Sequence, residues 1–545
     1  MKKISSLFFI LFFSIYTFSI DIKDLRCEML INPEGIDVTK PRFSWIIESK
    51  ERNVEQTAYH ILVASSIEKL NNGEGDLWNS GKVETYQSIL VPYAGKSLKS
   101  RDQAYWKVKT YTKKGESELS APAKFSIGLL DSNDWSAKWI GLDRVFPWDN
   151  ETQHSRLSAR YLRKEFTNSK EVKSAKVYIS GLGLYELYLN GEKIGDQALA
   201  PIATDYTKSV KYNTSDVTSY IKSGKNAIGT SLGNGRCYNM RQNFKPHKIK
   251  TFGYPKMLLQ LEIEYTDGTK QTIVSDNTWK ITTDGPIRSN NDFDGEEYDA
   301  TKELGKWNIA GYNDRNWQKA ELVQAPSGIL SAQMNENMKV MSTVKPIGIK
   351  AITPDTFIVD MGQNMVGWVE LKAKGKKGDK ITLRFAETLD KNGRLNRVNF
   401  RSAQVTDIYT MKGEGVESWE PRFVTHGFRY MEVTGYPGTP TINDFLGKVV
   451  YDNIETIGSF ESSNTLLNQI HKNAWWGING NYKGMPLDCP QRDERQPWLG
   501  DHSTGCFGES FMYDNERLYI KWLDDIRDSQ TPEGQISDIA PPYYM

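Results

Sequence analysis

The sequence has little cysteine: Cys27, Cys237, Cys489 and Cys506 are scattered through 545 residues with no CxxC pair. That excludes a disulfide framework as the basis of the fold, and with only six histidines a Cys/His zinc site has no support. An excess of charge of one sign is missing as well, with 69 Lys plus Arg against 68 Asp plus Glu. The electrostatic footprint of a nucleic-acid or anionic-membrane binder is therefore absent. Beyond the first twenty or so residues no apolar run is long enough to span a bilayer. The N-terminus has Lys2 and Lys3, then an apolar run over residues 7–18, then a polar stretch from Asp21. This reads as a secretory signal peptide over residues 1–20 and implies a secreted or periplasmic protein.

What the sequence does have is length and aromatic rings. A chain this long is expected to divide into several domains. Its 15 Trp and 27 Tyr suit sugar-stacking platforms, and they suit strands equally well. Residues 21–131 carry short β-type runs between turn signals; in one, Trp106 and Val108 alternate with Lys107 and Lys109, as a half-buried strand requires. This predicts a small β-sandwich, similar to a fibronectin type III domain. Residues 132–328 continue the β pattern, with strand, turn and strand around Ser180-Gly-Leu-Gly183 and a hairpin signal at Asn190-Gly191. They read as a jelly-roll, carbohydrate-binding-like domain. Residues 329–450 form a third β-sandwich, an accessory domain closed by a strand over 428–433. From residue 451 the apolar period changes from two to about 3.6. Leu466, Leu467, Ile470 and Ala474 mark one helical face after a Ser463-Asn464 cap, and Tyr519, Trp522, Leu523 and Ile526 mark another.

Between those helical faces runs Asp488-Cys-Pro-Gln-Arg-Asp-Glu494-Arg-Gln-Pro-Trp498-Leu-Gly-Asp501. Pro490 and Pro497 forbid one continuous helix. Composition alone would make this a solvated surface loop laced with salt bridges. Its order, however, resembles the signature of glycoside hydrolase family 78, the α-L-rhamnosidases. The resemblance extends upstream to Ser180-Gly-Leu-Gly-Leu-Tyr185, Thr204-Asp-Tyr206, Leu232-Gly-Asn-Gly235, Asp360-Met-Gly-Gln-Asn364, Ala386-Glu387 and Thr425-His-Gly-Phe-Arg-Tyr430. It implies a multidomain fold, three N-terminal β-sandwich or jelly-roll domains followed by the start of an all-α (α/α)6 barrel over residues 451–545.

The resemblance implies inverting hydrolysis of terminal α-L-rhamnose from oligosaccharides, polysaccharide fragments or glycosides. Glu494 would be the general acid. Asp488, Arg492, Asp493, Asp501 and Trp498 would hold the sugar, with Trp498 in the pocket wall. Crowding by Asp488, Asp493 and Asp501 would favour a protonated Glu494, while Arg492 and Arg495 oppose it. Inversion also needs a water-activating carboxylate roughly 6.5–9.5 Å from the acid. In the family it comes from much later in the barrel, and the chain is expected to stop before it. A non-catalytic rhamnoside-binding protein, and a relative acting on sulfated or uronate-linked rhamnosides, stay open as alternatives. No cofactor is implied as required. Calcium enters through the second β domain, where some relatives carry a calcium-assisted rhamnose-binding module of family 67; Asn234 fits that module's pattern and Arg236 departs from it. Pro497 stands where a glycine is expected before Trp498. Asp360, Glu387 and His426 read as structural.

Overall fold

The computed structural model describes residues 20–150, 156–238 and 251–543, so the signal peptide lies outside the described residues apart from Ile20. The chain divides into two compact units, Met1–Leu130 and Asp131–Met545.

In the first unit, Asp21–Cys27, Arg42–Glu48 and Val91–Pro92 form one sheet, and a second is built on the antiparallel pair Gln56–Ala64 and Gln103–Thr112. Along Gln103–Thr112 the residues Ala104, Trp106, Val108 and Thr110 are buried between half-exposed neighbours. The alternation follows from the two-residue period of a strand with one face in the core. Trp106 packs on Phe43 of the opposite sheet with ring centroids 4.5 Å apart. Burying each such ring contributes about 1.5–3 kcal/mol.

The second unit begins with two facing sheets of seven and six strands around Leu162, Val177, Leu187, Leu259 and Trp279. Strands Leu184–Leu189 and Glu192–Lys193 are joined by Asn190 (φ +53°) and Gly191 (φ +91°), a turn whose left-handed backbone these two residues accept readily. A ten-stranded sheet follows, organised on the long strand Thr356–Lys374, whose pairing shifts register between Asp360 and Met365.

The boundary expected at 328/329 is not where the sheets part. Strands Ile287–Asn291 and Gly295–Asp299 belong to the ten-stranded sheet, the latter running parallel to Thr406–Thr410. Conversely, Ile329–Ala332 lies parallel to Ser209–Asp216 in the preceding region. Each region lends strands that cover the other's exposed backbone edge, which sequence periodicity cannot show.

Helices Thr465–Asn481, Leu499–Glu509 and Glu516–Asp528 complete the described chain. Asn464 caps the first by accepting from the Leu466 and Leu467 N–H groups. Its expected apolar face is exposed, Leu466 by 65% and Ile470 by 54%. Of the expected face of Glu516–Asp528, Trp522 is buried while Leu523 is exposed, and Arg517, Leu518, Lys521 and Asp525 of this helix are buried with it. Its charges are satisfied locally, Lys521 Nζ lying 2.6 Å from Asp525 and 2.8 Å from the Ala203 carbonyl, while Arg517 donates to the Met334 carbonyl. Among the described residues these three helices close no ring; the resemblance implied only the start of an (α/α)6 barrel here, and three helices alone do not establish it. No helix among the described residues is long and apolar enough to cross a membrane.

Candidate active site

The acidic segment runs between the first two of those helices, and its last residues, Leu499 to Asp501, already belong to the second. Asp488 and Gln496 close its neck: the Asp488 N–H donates to the Gln496 carbonyl (2.9 Å) and the Gln496 N–H to Asp488 Oδ1 (2.7 Å). Arg495 holds the turn from inside, at φ +51°. Its guanidinium donates to the carbonyls of Arg492 (3.2 Å) and Thr425 (2.8 Å), and its own carbonyl accepts from Arg236 (2.7 Å). The ten-stranded sheet can approach this closely because residue 427 is glycine; a Cβ there would lie 2.9 Å from Gln491 Cβ. Thus Thr425 and Gly427 of the Thr-His-Gly motif serve the loop, while His426 faces the core.

Glu494 is the centre of what this frame presents. Its Oε1 accepts from Trp498 Nε1 (3.0 Å); its Oε2 faces Arg492 (2.8 Å) and Arg401 (2.9 Å). The same Arg492 nitrogen lies 3.3 Å from Asp488 Oδ2. Burial pushes the Asp488 carboxyl above its ordinary value; hydrogen bonds from Cys489 and the Gln496 N–H oppose this, and the neighbouring Glu494 charge adds to it. Arg492 Nε and Gln496 Oε1 are buried without a partner among the described residues, as polar atoms prepared for a ligand would be.

The structure therefore brings Asp488, Arg492, Glu494 and Trp498 together. Asp493 is 2% exposed and accepts from the N–H (3.0 Å) and hydroxyl of Ser402, while Arg401, a partner of Glu494, lies 3.7 Å from its Oδ1. Through Arg401 and Ser402 it ties the loop to the ten-stranded region. Asp501 sits exposed in the first helical turn, and among the described residues its carboxylate forms no hydrogen bond or ion pair with the cluster. The expected crowding by three carboxylates thus reduces to one, Asp488, against two guanidiniums.

Sequence reasoning missed Arg401 and Ser402, which reach the loop from the ten-stranded region across some ninety positions. Arg401 holds a left-handed backbone (φ +57°), a conformation that costs a non-glycine residue about 1–3 kcal/mol. Such an outlier needs coordinates to be seen.

In the second β region, Asn234 is fully buried and donates to the Leu157 and Asn290 carbonyls, and Arg236 pairs with Asp292 at 2.8 Å. Both are engaged by neighbouring protein groups there. The one convergent set of potential metal ligands among the described residues is Asp488, Cys489 and Glu494. A thiol raised by burial and an acid already faced by two arginines do not make the oxygen cage that calcium takes.

Comparison with known proteins accounts for nearly every described region. Residues 22–131 match the Rha78A-like, N-terminal immunoglobulin domain, so the first sandwich is of immunoglobulin type and not fibronectin type III. Residues 170–342 match the α-L-rhamnosidase N-terminal domain, 350–451 the bacterial α-L-rhamnosidase concanavalin-like domain, and 455–544 the bacterial α-L-rhamnosidase 6 hairpin glycosidase domain. This succession defines the class of multidomain glycosidases. An α-L-rhamnosidase of Formosa agariphila is 39% identical over 94% of this chain and 55% of its own length. The solved α-L-rhamnosidase of Dictyoglumus thermophilum superposes with a TM-score of 0.90 at 41% identity, over 96% of this chain and 59% of that one. That of Streptomyces avermitilis, complexed with L-rhamnose, gives 0.88 at 30% identity, over 96% and 66%. The chain belongs to the α-L-rhamnosidase family, glycoside hydrolase family 78, and spans 55–66% of the length of these relatives.

Proposed function

We propose that this protein is an exported α-L-rhamnosidase that removes terminal α-L-rhamnose from a rhamnose-containing glycoside, oligosaccharide or polysaccharide. The observation that carries the reading is Glu494, held between Trp498, Arg492 and Arg401 in the segment that matches the family's glycosidase domain. Glu494 gives its proton to the glycosidic oxygen as the bond to the anomeric carbon breaks; water attacks that carbon and loses a proton to a second carboxylate. Asp488 is not that base. A carboxylate oxygen of Asp488 lies within 4.8 Å of one on Glu494, less than the roughly 6.5–9.5 Å that leaves room for water. Asp488 and Arg492 instead bind rhamnose hydroxyls, and Trp498 offers a wall. Asp501 joins them on the solvent side once sugar is bound. The helices that follow Asn464 belong to an (α/α)6 barrel in this reading.

The test is hydrolysis of 4-nitrophenyl α-L-rhamnoside by the protein as its gene encodes it. Glu494→Gln lowers kcat by about 10²–10⁴-fold, and proton NMR shows the β-anomer of rhamnose forming first. Wild-type turnover in Glu494→Gln removes the acid from this role; the α-anomer forming first refutes inversion.

A further inference from the structure

An opening of about 530 Å3 lies between strand Leu184–Leu189 and the ten-stranded sheet, and none of its lining residues belongs to the acid loop. Its volume falls within the roughly 300–1,000 Å3 typical of ligand sites. Tyr188, Tyr298, Trp368 and Trp419 line it with aromatic surface. Arg422 projects into it, 42% exposed. One nitrogen, Nη1, donates to Glu186 (2.8 Å) and to the Tyr188 hydroxyl (2.7 Å). Its Nε and Nη2 have no side-chain or carbonyl partner among the described residues. Across the opening Trp368 Nε1 donates to Glu420 Oε2 (2.7 Å), and Glu420 Oε1 stays uncommitted among the described residues.

These groups are fixed before any ligand arrives. Burial alone would raise the Glu186 carboxyl, but Arg422 and Lys193 outweigh it and hold it at about 2. A planar donor fork anchored on one edge, a carboxylate with a lone oxygen and several aromatic rings suit a ring that is apolar on its C–H face and rimmed by hydroxyls. Carboxylates outnumber cations in the lining: Asp196, Glu303 and Glu370 join Glu186 and Glu420 against Lys193 and Arg422. Like charge of that sign disfavours sulfated sugars and uronic acids. We propose that this cleft is a second carbohydrate-binding site, for a neutral saccharide of one or two rings, that acts independently of the acid loop.

The experiment is calorimetric titration of the full chain with L-rhamnose, D-galactose, D-mannose, cellobiose and lactose, with glucuronate as the anionic control. A neutral saccharide binds, and Arg422→Ala weakens it by about tenfold or more. Arg422→Ala also strips Glu186 of its partner, so Ser418→Trp, which fills the mouth from an exposed strand position, serves as the second variant; thermal melting verifies that it folds. Glu494→Gln leaves this binding unchanged. The proposal is overturned if no neutral sugar binds at roughly 10 mM, if glucuronate binds more tightly, or if binding survives Ser418→Trp and disappears in Glu494→Gln. Loss of rhamnoside hydrolysis with cleft binding intact would count against the acid loop alone.

Discussion

Two carboxylate clusters meet the ten-stranded sheet, and they are built on opposite plans. In the sheet's core, Asp407 accepts from the Glu296 N–H (2.9 Å) and meets His426 Nε2 at 2.9 Å, while Glu296 accepts from the Arg422 and Phe423 N–H groups. All three side chains are buried, and burial pushes the Glu296 carboxyl up to about 8, with Asp407 adding to the rise. At the loop, Glu494 is 13% exposed and its partners are two arginines and an indole, of which Arg401 alone comes from outside the loop. Glu296, the acid that burial pushes up, is itself only 1% exposed. Perturbation therefore marks a site only where a ligand can reach it, and in the core it records the cost of burying charge.

The comparison breaks most directly at Asp407. Asp407→Ala leaves His426 and the Glu296 N–H without their buried partner and costs about 3–5 kcal/mol of stability in urea unfolding. A loss below about 1 kcal/mol would show that the core cluster is not structural. Glu296→Gln tests the same cluster through pH. Between its ordinary 4.5 and about 8, the folded protein holds a proton on Glu296 that the unfolded chain releases. Fewer protons on the unfolded state means that stability falls as pH rises through that window and is level on either side. Unfolding followed from pH 4.5 to 8 shows Glu296→Gln gaining on the wild type throughout; parallel curves would place the titration elsewhere. The smallest effect is on the loop side. Ser402→Ala removes one of the two donors that hold buried Asp493, at about 1–3 kcal/mol. It lowers turnover of the aryl rhamnoside by loosening the neighbouring Glu494, whereas Asp407→Ala changes melting first.

Local features were legible in the sequence because they are written within a few residues. Asn190-Gly191 turns the hairpin, the Trp106–Val108 alternation buries one strand face, and Asn464 caps its helix. The order of residues from Asp488 to Trp498 located the loop, and its two prolines kept it irregular. What could not be read is set by partners far along the chain. Nothing near Asp493 says that it faces Ser402, and nothing near Arg401 says that it reaches Glu494. The crowding imagined among three acids failed for the same reason: spacing fixes which residues are close in sequence, not which way each carboxylate turns. The strand exchange across residues 328/329 was not legible because an edge strand carries the same alternation whichever sheet receives it.

That exchange also sets what can be inherited or transplanted as a piece. With residues 287–299 completing one sheet and residues 329–332 completing the other, a cut between the two β regions would strip two strands from the first and one from the second, baring two backbone edges at once. Recombination at that point yields chains prone to pair with one another edge to edge. In this chain the two regions therefore form one structural block, and the cleft between them depends on both.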